Sequence, residues 1–304
     1  MVHIAIAGSG DLARYICEES TKAGHLVTVL TRSRKAQFDA DRVNQRITDY
    51  TLKSVTDAIA DCDVLISTIL DYSSTLIDVH LTLIQACQLS PKCKRFIPSE
   101  YAGNIEDYPE QPAFYYHNHE PIRQALRDQK DIEWTLVSVG WLIDYTVPTK
   151  NRHLKDIGEA FPVNLADRKL VIPGTGTDLV SFTWARDVAK GLAVLVNAPT
   201  WDDYTYIAGE AMCWNDVADA VKRTYGQDFD TEYRSHDQLA KTIKDSNDEY
   251  AVLVAEYQIF SLGPAALLPE DRVLTQRQKY FQRIKFRKMQ DGLRELDNDG
   301  DIIV

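Results

Sequence analysis

The chain has 304 residues, 44% of them apolar, and its 34 basic and 45 acidic side chains leave a formal net charge of −11. That length can bury a large core and suits one large α/β domain with an appended lobe better than two independent domains, while the acidity argues against nucleic acid as the main ligand. Five cysteines (Cys17, Cys62, Cys87, Cys93, Cys213) form no CxxC pair, which fits buried thiols in a reducing compartment and suggests no metal site.

His3 to Ala13 runs from an apolar strand straight into a glycine turn and then a helix, the pattern that builds a phosphate cradle. Gly8 permits the tight turn, Gly10 lets backbone approach a pyrophosphate, and the small Ala13 allows the helix to pack closely on the strand. Ser9, Asp11 and Leu12 complete the turn, and the amide groups opening the helix would face the phosphates. No basic segment and long apolar stretch precede this strand, so no secretion signal is expected and the cytoplasm is the expected compartment.

The second strand, Leu26 to Thr31, ends where the residue that reads the adenosine ribose belongs, roughly 20 residues past the glycine turn. An NAD site would place Asp or Glu here. The chain has Thr31-Arg32-Ser33-Arg34-Lys35, and guanidinium groups recognise phosphate through paired charge-assisted bonds, which points to NADP(H) read by Arg32 and Ser33. A solvated basic turn would account for the same residues.

Arg42 to Tyr50 holds a short third strand and Leu52 to Ala60 a helix. Val64 to Ile69 is a buried strand that brings Thr68 and Ile69 to its carboxyl end. Leu76 to Cys87 has helical spacing, Lys94 to Pro98 is a strand stopped by its proline, and Trp134 to Val139 is a sixth strand. None of the apolar runs, Val64 to Leu70 included, is long enough to span a bilayer. Alternating strands and helices predict a Rossmann-type, doubly wound parallel sheet with ligands at the carboxyl ends of its strands. Residues 1–150 are expected to form this NADP-binding domain. Residues 151–304 are expected to be mainly a smaller substrate lobe, with some segments returning to the sheet, and Ser181 to Asn197 to begin near a strand and continue as the helix after Asp187. The last hundred residues are charged and largely helical by pattern.

Several spaced segments together resemble the NmrA-like and isoflavone reductase-like branch of atypical short-chain dehydrogenases. They are Ile4 to Ala13, Arg32, Lys94-Arg95-Phe96-Ile97-Pro98-Ser99-Glu100-Tyr101, Ile122-Arg123, Trp134 to Ser138, Gly174-Thr175-Gly176, and Trp184 to Ala189. The resemblance implies NADPH lying across the sheet edge, with Pro98, Ser99 and Glu100 at the rim of the cleft. It also implies a lysine shortly before the Ile-Arg pair that holds the nicotinamide ribose and takes part in proton transfer. His119 occupies that position here. An imidazole supplies no permanent positive charge near pH 7, yet it can exchange protons there as a general acid or base should.

Tyr115 precedes His119 by four residues and would share its face if both were helical. Pro121 places the helix start near Asn118, which leaves Tyr115 before it. His119 and Tyr115 are the catalytic candidates, and Tyr101, Phe114, Tyr116, His117, Trp141 and Tyr145 the candidate walls of a pocket for a flat aromatic or polyketide-like substrate. Core packing accounts equally well for Trp141 and Tyr145, a loop position for His117, a partly buried ring satisfied by a backbone carbonyl for His119, and a place in the pocket wall for Tyr115 as for Tyr116. Three functions compete: an NADPH-dependent reductase of a small aromatic or conjugated substrate, a redox-neutral isomerase, cyclase or dehydratase using histidine as acid and base, and a non-catalytic NADP-sensing regulator. A monomer or homodimer without membrane or nucleic-acid partners is expected.

Overall fold

The computed structural model describes residues 1–304. Its centre is a parallel sheet built from β1 (His3–Ala7), β2 (Leu26–Thr31), β3 (Val43–Ile47), β4 (Val64–Ser67), β5 (Arg95–Ile97) and β6 (Glu133–Trp134), in the order β3-β2-β1-β4-β5-β6. Ile4 to Ala7 and Val64 to Ile66 are fully buried, because a parallel sheet is covered by helices on both faces and its strands read as unbroken apolar runs. The covering helices from this half of the chain are α1 (Asp11–Lys22), α2 (Leu52–Ile59), α3 (Thr75–Leu89) and α4 (Ala113–Asp128). The chain order turns back at β1, which pairs with β2 on one side and β4 on the other. A crevice for ligand opens at such a reversal, outside the carboxyl ends of β1 and β4.

The sixth strand is not continuous. After Trp134 the chain leaves the β5 edge, and β7 (Leu136–Ser138) pairs instead with β12 (Tyr204–Tyr206). Between them come β8 (Trp141–Leu142), β9 (Val163–Asn164), β10 (Lys169–Pro173), β11 (Leu179–Thr183) and α5 (Ala185–Leu195). α5 packs on α1, so part of the chain beyond residue 150 covers the nucleotide-binding sheet. The rest forms a second core around Trp184, Trp214 and Phe182, built from β8, β10 and β11 with β13 (Glu210–Cys213), α6 (Trp214–Tyr225) and β14 (Asp230–Arg234). Four further helices follow: α7 (His236–Asp245), α8 (Glu249–Phe260), α9 (Glu270–Tyr280) and α10 (Met289–Asn298). No single helix is long and apolar enough to cross a membrane.

α4 begins at Ala113, not near Asn118, so Tyr115 lies inside it and Pro121 sits in its interior. Proline withholds an N–H from the His117 carbonyl, and His117 is on the exposed side, where water can satisfy that oxygen. The buried side carries the compensation. Tyr115, His119 and Arg123 recur every four residues on one face, and all three grip the turn after β5. The Tyr115 hydroxyl donates to the Glu100 carbonyl at 2.9 Å, the His119 Nε2 lies 3.2 Å from the Ser99 carbonyl oxygen, and Arg123 donates from Nε and Nη2 to both Glu100 carboxylate oxygens at 2.9 Å each. The Arg123 and Glu100 side chains are 2% and 1% exposed. The guanidinium holds the Glu100 carboxyl below the ordinary carboxylate range against the opposing effect of burial.

Removing one member of this pair strands a buried charge. Arg123→Met alone is therefore expected to cost about 3–5 kcal/mol in urea unfolding, and Arg123→Met with Glu100→Leu distinctly less, because the double change leaves no uncompensated ion. Since Glu100 is depressed in the folded state, its contribution is complete above the usual carboxylate range and is lost as pH falls through the folded pKa. Gly140 tests the approach of the two cores: its φ is +66°, and an added Cβ would lie 2.2 Å from the Ser181 carbonyl oxygen. Gly140→Ala is expected to lower stability by about 2 kcal/mol or more in the same measurement.

Candidate active site

A cleft of about 610 Å³ follows the carboxyl ends of β1, β2 and β4. Gly8 turns the chain there with φ +106°, and a Cβ at this position would meet Thr68 Oγ1 at 2.8 Å. Its N–H donates to the Tyr50 hydroxyl at 3.0 Å, which in turn donates to the Leu30 carbonyl at 2.9 Å. Tyr50 thus ties the glycine turn to β2. Gly10 caps α1 and has open space where a side chain would project, with nothing within 4 Å of an added Cβ. No side chain caps α1, so its first amide groups remain available to an anion. An open cradle at a helix N-terminus fits a dinucleotide pyrophosphate.

Ser9, Asp11 and Leu12 line the same cleft, as do Thr68, Ile69 and Ser99. Arg32 and Ser33 line its far end with Lys35. The Arg32 guanidinium carbon stands 5.9 Å from the Tyr50 ring centroid, whereas neighbouring Arg34 is committed to Asp39 at 2.8 Å. Pro98 and Glu100 do not reach the cleft wall. Glu100 serves underneath it, as the anchor of the turn that presents Ser99 and Tyr101. The Ser99 backbone is held at both ends: its N–H donates to His80 Nε2 at 3.4 Å, and its carbonyl faces His119. His80 donates from Nδ1 to the Leu76 carbonyl at 2.8 Å, and burial lowers its pKa to about 4.

A second cavity of about 480 Å³ adjoins the first and shares Leu70, Tyr101, Tyr115, Leu142 and Tyr145 with it. Its other walls include Tyr72, Trp141, Ile157, Leu253, Tyr257 and Phe260, so it is lined chiefly by aromatic and aliphatic side chains. Trp141 both faces the cavity and belongs to the second core, its indole N–H donating to Ser261 Oγ at 3.1 Å. Tyr72 and Tyr257 join the cavity mouth through hydroxyls 2.9 Å apart.

Three residues expected in the pocket lie elsewhere. Phe114 packs behind it against Tyr72 and Tyr257, and neither Tyr116 nor the exposed His117 reaches it, because the inward face of α4 is the Tyr115-His119-Arg123 face. His119 is 4% exposed and lines neither cavity. Tyr115 covers it, with ring centroids 3.7 Å apart and planes 12° from parallel. Its Nδ1 and Nε2 lie 2.9 and 3.2 Å from the Tyr115 and Ser99 carbonyl oxygens, and burial holds its pKa below the ordinary histidine value. The imidazole is therefore beneath the active face, not on it.

Sequence reasoning missed Tyr50, Lys155 and the α8 residues Leu253 and Tyr257, and quoted Lys35 only within the basic cluster. Tyr50 sits beyond a weakly marked strand, and Tyr257 of α8 meets Tyr72 from 185 residues away, so neither bears a local motif. Lys155 reaches the cleft because its N–H donates to Asp11 Oδ2 at 3.0 Å. Outside the cleft, His3, Asp61 and Cys62 meet near the amino ends of β1 and β4, but Arg46 already occupies both Asp61 oxygens at 2.6 and 2.8 Å.

Residues 7–171 match the NAD(P)H-binding family. The chain is 52% identical over 303 residues to oxidoreductase swnR of Arthroderma benhamiae, covering 99% of each. It is 25% identical over 259 residues, 80% of each chain, to an isoflavone reductase homolog of Solanum tuberosum. Among solved structures, AtPrR2 with NADP+ and (+)-pinoresinol superposes with a TM-score of 0.75 at 20% identity, covering 100% of this chain and 99% of that one. With the glycine turn, the open helix N-terminus and the adjoining aromatic cavity in place, the chain belongs to the NAD(P)H-binding oxidoreductases of the isoflavone reductase-like family.

Proposed function

We propose that the protein is an NADPH-dependent reductase of a small aromatic or conjugated substrate of the secondary-metabolite kind, polyketide-like ones included. The observation that carries this reading is the junction of the two cavities at Tyr101, Tyr115 and Tyr145, since hydride transfer requires cofactor and substrate to meet without intervening water. The amide groups after Gly10 would hold the pyrophosphate, and Arg32 with Ser33 and Lys35 the 2′-phosphate. When bound, the reduced nicotinamide supplies a hydride. The apolar walls from β8 and α8 orient a flat substrate beside it and exclude water. The AtPrR2 complex likewise pairs NADP+ with an organic ligand, (+)-pinoresinol, which supports a cavity of this kind as the place for an aromatic molecule.

His119 acts in this reading as a positioning residue that carries the Tyr115 ring against the junction and holds the Ser99 turn. The redox-neutral alternative stated for His117 or His119 as acid and base finds neither imidazole on a cavity wall.

Calorimetric titration with NADPH and NADH, followed by absorbance at the reduced-nicotinamide band against a panel of aryl ketones, enones and lignans, tests the reading directly. NADPH consumed in proportion to product is the expected result; product formed without it would establish redox-neutral chemistry instead. Arg32→Ala is expected to weaken NADPH binding about 10-fold or more while leaving NADH within about twofold, as loss of a charge-assisted phosphate contact should. His119→Ala is expected to lower turnover by opening a void under Tyr115 while leaving the pH profile in place; a displaced profile would put the imidazole in proton transfer.

A further inference from the structure

Three phenols are shared by the cofactor cleft and the aromatic cavity, and two of them are already spent. The Tyr101 hydroxyl donates to the Ser67 carbonyl at 3.0 Å and the Tyr115 hydroxyl to the Glu100 carbonyl at 2.9 Å. The Tyr72 and Tyr257 hydroxyls at the mouth are bonded to each other. Tyr145 differs: burial and neighbouring charges act on its hydroxyl, and no hydrogen bond within the chain does. A phenol ordered at a junction with its donor unused is available to whatever binds there.

A buried cation backs the ring. The Arg152 guanidinium carbon lies 5.0 Å from the Tyr145 ring centroid, and that side chain is only 3% exposed. Arg152 donates to the Val147 carbonyl at 3.2 Å and the Leu154 carbonyl at 2.6 Å and pairs with Asp156, which is 68% exposed and so neutralises it only in part. The other charged groups acting on the phenol are Asp144, whose effect exceeds that of Arg152, and Asp11; both disfavour its ionisation. Tyr145 therefore enters the reaction protonated, with one buried cation placed to stabilise the phenolate that proton donation would create.

We propose that Tyr145 is the proton-donating catalytic residue of the reduction, with Arg152 as the positioning cation behind its ring. This rests on the reductase reading above. As hydride from the reduced nicotinamide forms the new C–H bond, the electron pair of the substrate's double bond moves onto its heteroatom. The Tyr145 O–H bond breaks, its proton goes to that heteroatom, and the phenolate beside Arg152 regains a proton from water entering the open cleft. The nicotinamide is oxidised by two electrons and the substrate reduced by two.

Tyr145→Phe keeps the ring and removes only the donor. It is expected to bind NADPH within about twofold of the parent chain and to lose about 100-fold or more in kcat on any panel compound the parent reduces, as removal of a general acid should. An independent readout uses 4-nitrophenolate as an oxyanion probe on the NADP+-loaded protein. Tyr145→Phe is expected to weaken its binding about 10-fold while leaving that of the isosteric 4-nitrotoluene unchanged, a split that mere loss of packing would not produce. Arg152→Met, which keeps the stem, is expected to weaken only the anionic probe. Undiminished turnover in Tyr145→Phe, equal binding of both probes in parent and variant, or no 4-nitrophenolate binding by the parent chain overturns the proposal. A parent chain that binds NADPH but consumes none with any panel compound overturns the reductase reading itself, and this assignment with it.

Discussion

The buried ion pair between Glu100 and Arg123 is the constraint on which the site depends. It joins two of the segments on which the family resemblance rests, the Phe-Ile-Pro-Ser-Glu run at the end of β5 and the Ile-Arg pair of α4. Physically, those two motifs are one interaction. A carboxylate removed from water between two layers is tolerable only with a bidentate partner, and the partner must come from a helix at fixed distance from the sheet. Once Arg123 is docked, helical periodicity places His119 and Tyr115 one and two turns earlier on the same face. They then reach the backbone of Ser99 and Glu100 without further specification. His80 completes the clamp from α3 by taking the Ser99 N–H. The polar turn is thereby held at its amide, its carbonyls and its carboxylate, while Tyr101 is left to face the cofactor cleft.

The central sheet and the cofactor cradle were legible because their signals are local. An unbroken apolar run followed by Gly8 and Gly10 specifies a strand, a left-handed turn and an open helix start within ten residues, and a basic cluster one strand later marks the end of the cleft. The start of α4 was not legible, since Pro121 carries a strong first-turn signal. Tertiary contacts from three consecutive inward residues outweigh that preference, and the freed His117 carbonyl lies on the wet side. The split of the sixth strand at Thr135 had no signal either, because β7 leaves the β5 edge only to meet β12, some 70 residues later. The aromatic pocket was half legible for the same reason. Trp141 and Tyr145 follow a strand end and are found there, whereas Tyr257 and Leu253 arrive on α8. Phe114, Tyr116 and His117 fall off the pocket wall because α4 starts more than a turn before its proline and turns a different face inward.

The two cavities divide the physical work. The cofactor cleft is lined by backbone amides, hydroxyls and cationic side chains, as a ligand with charged phosphates requires. The adjoining cavity is walled by rings and aliphatic groups, and most of its polar atoms are satisfied by the protein itself: Trp141 by Ser261, Tyr72 by Tyr257, Tyr101 and Tyr115 by backbone carbonyls. Such a wall binds a flat apolar molecule by area and shape while offering it few donors. Discrimination in a pocket of this kind then rests on the few groups left unsatisfied, because a bound polar atom without a partner there is costly.

The histidine at position 119 keeps α4 from presenting a cation at the junction. A lysine at this position of α4 would carry a permanent charge on a long, flexible stem. An imidazole offers neither. Both its nitrogens meet backbone carbonyls, and its flat face packs against the Tyr115 ring. With α4 thus committed to structure, a buried cation close to the junction is supplied from the segment after β8, where Arg152 stands behind Tyr145. Three backbone and carboxylate acceptors immobilise that guanidinium, so it acts as a fixed field at the ring and needs no reorganisation when charge develops. The cation and the unspent hydroxyl then belong to one short stretch of chain, and the phenol whose donor is free at the junction is the one with a cation at its back.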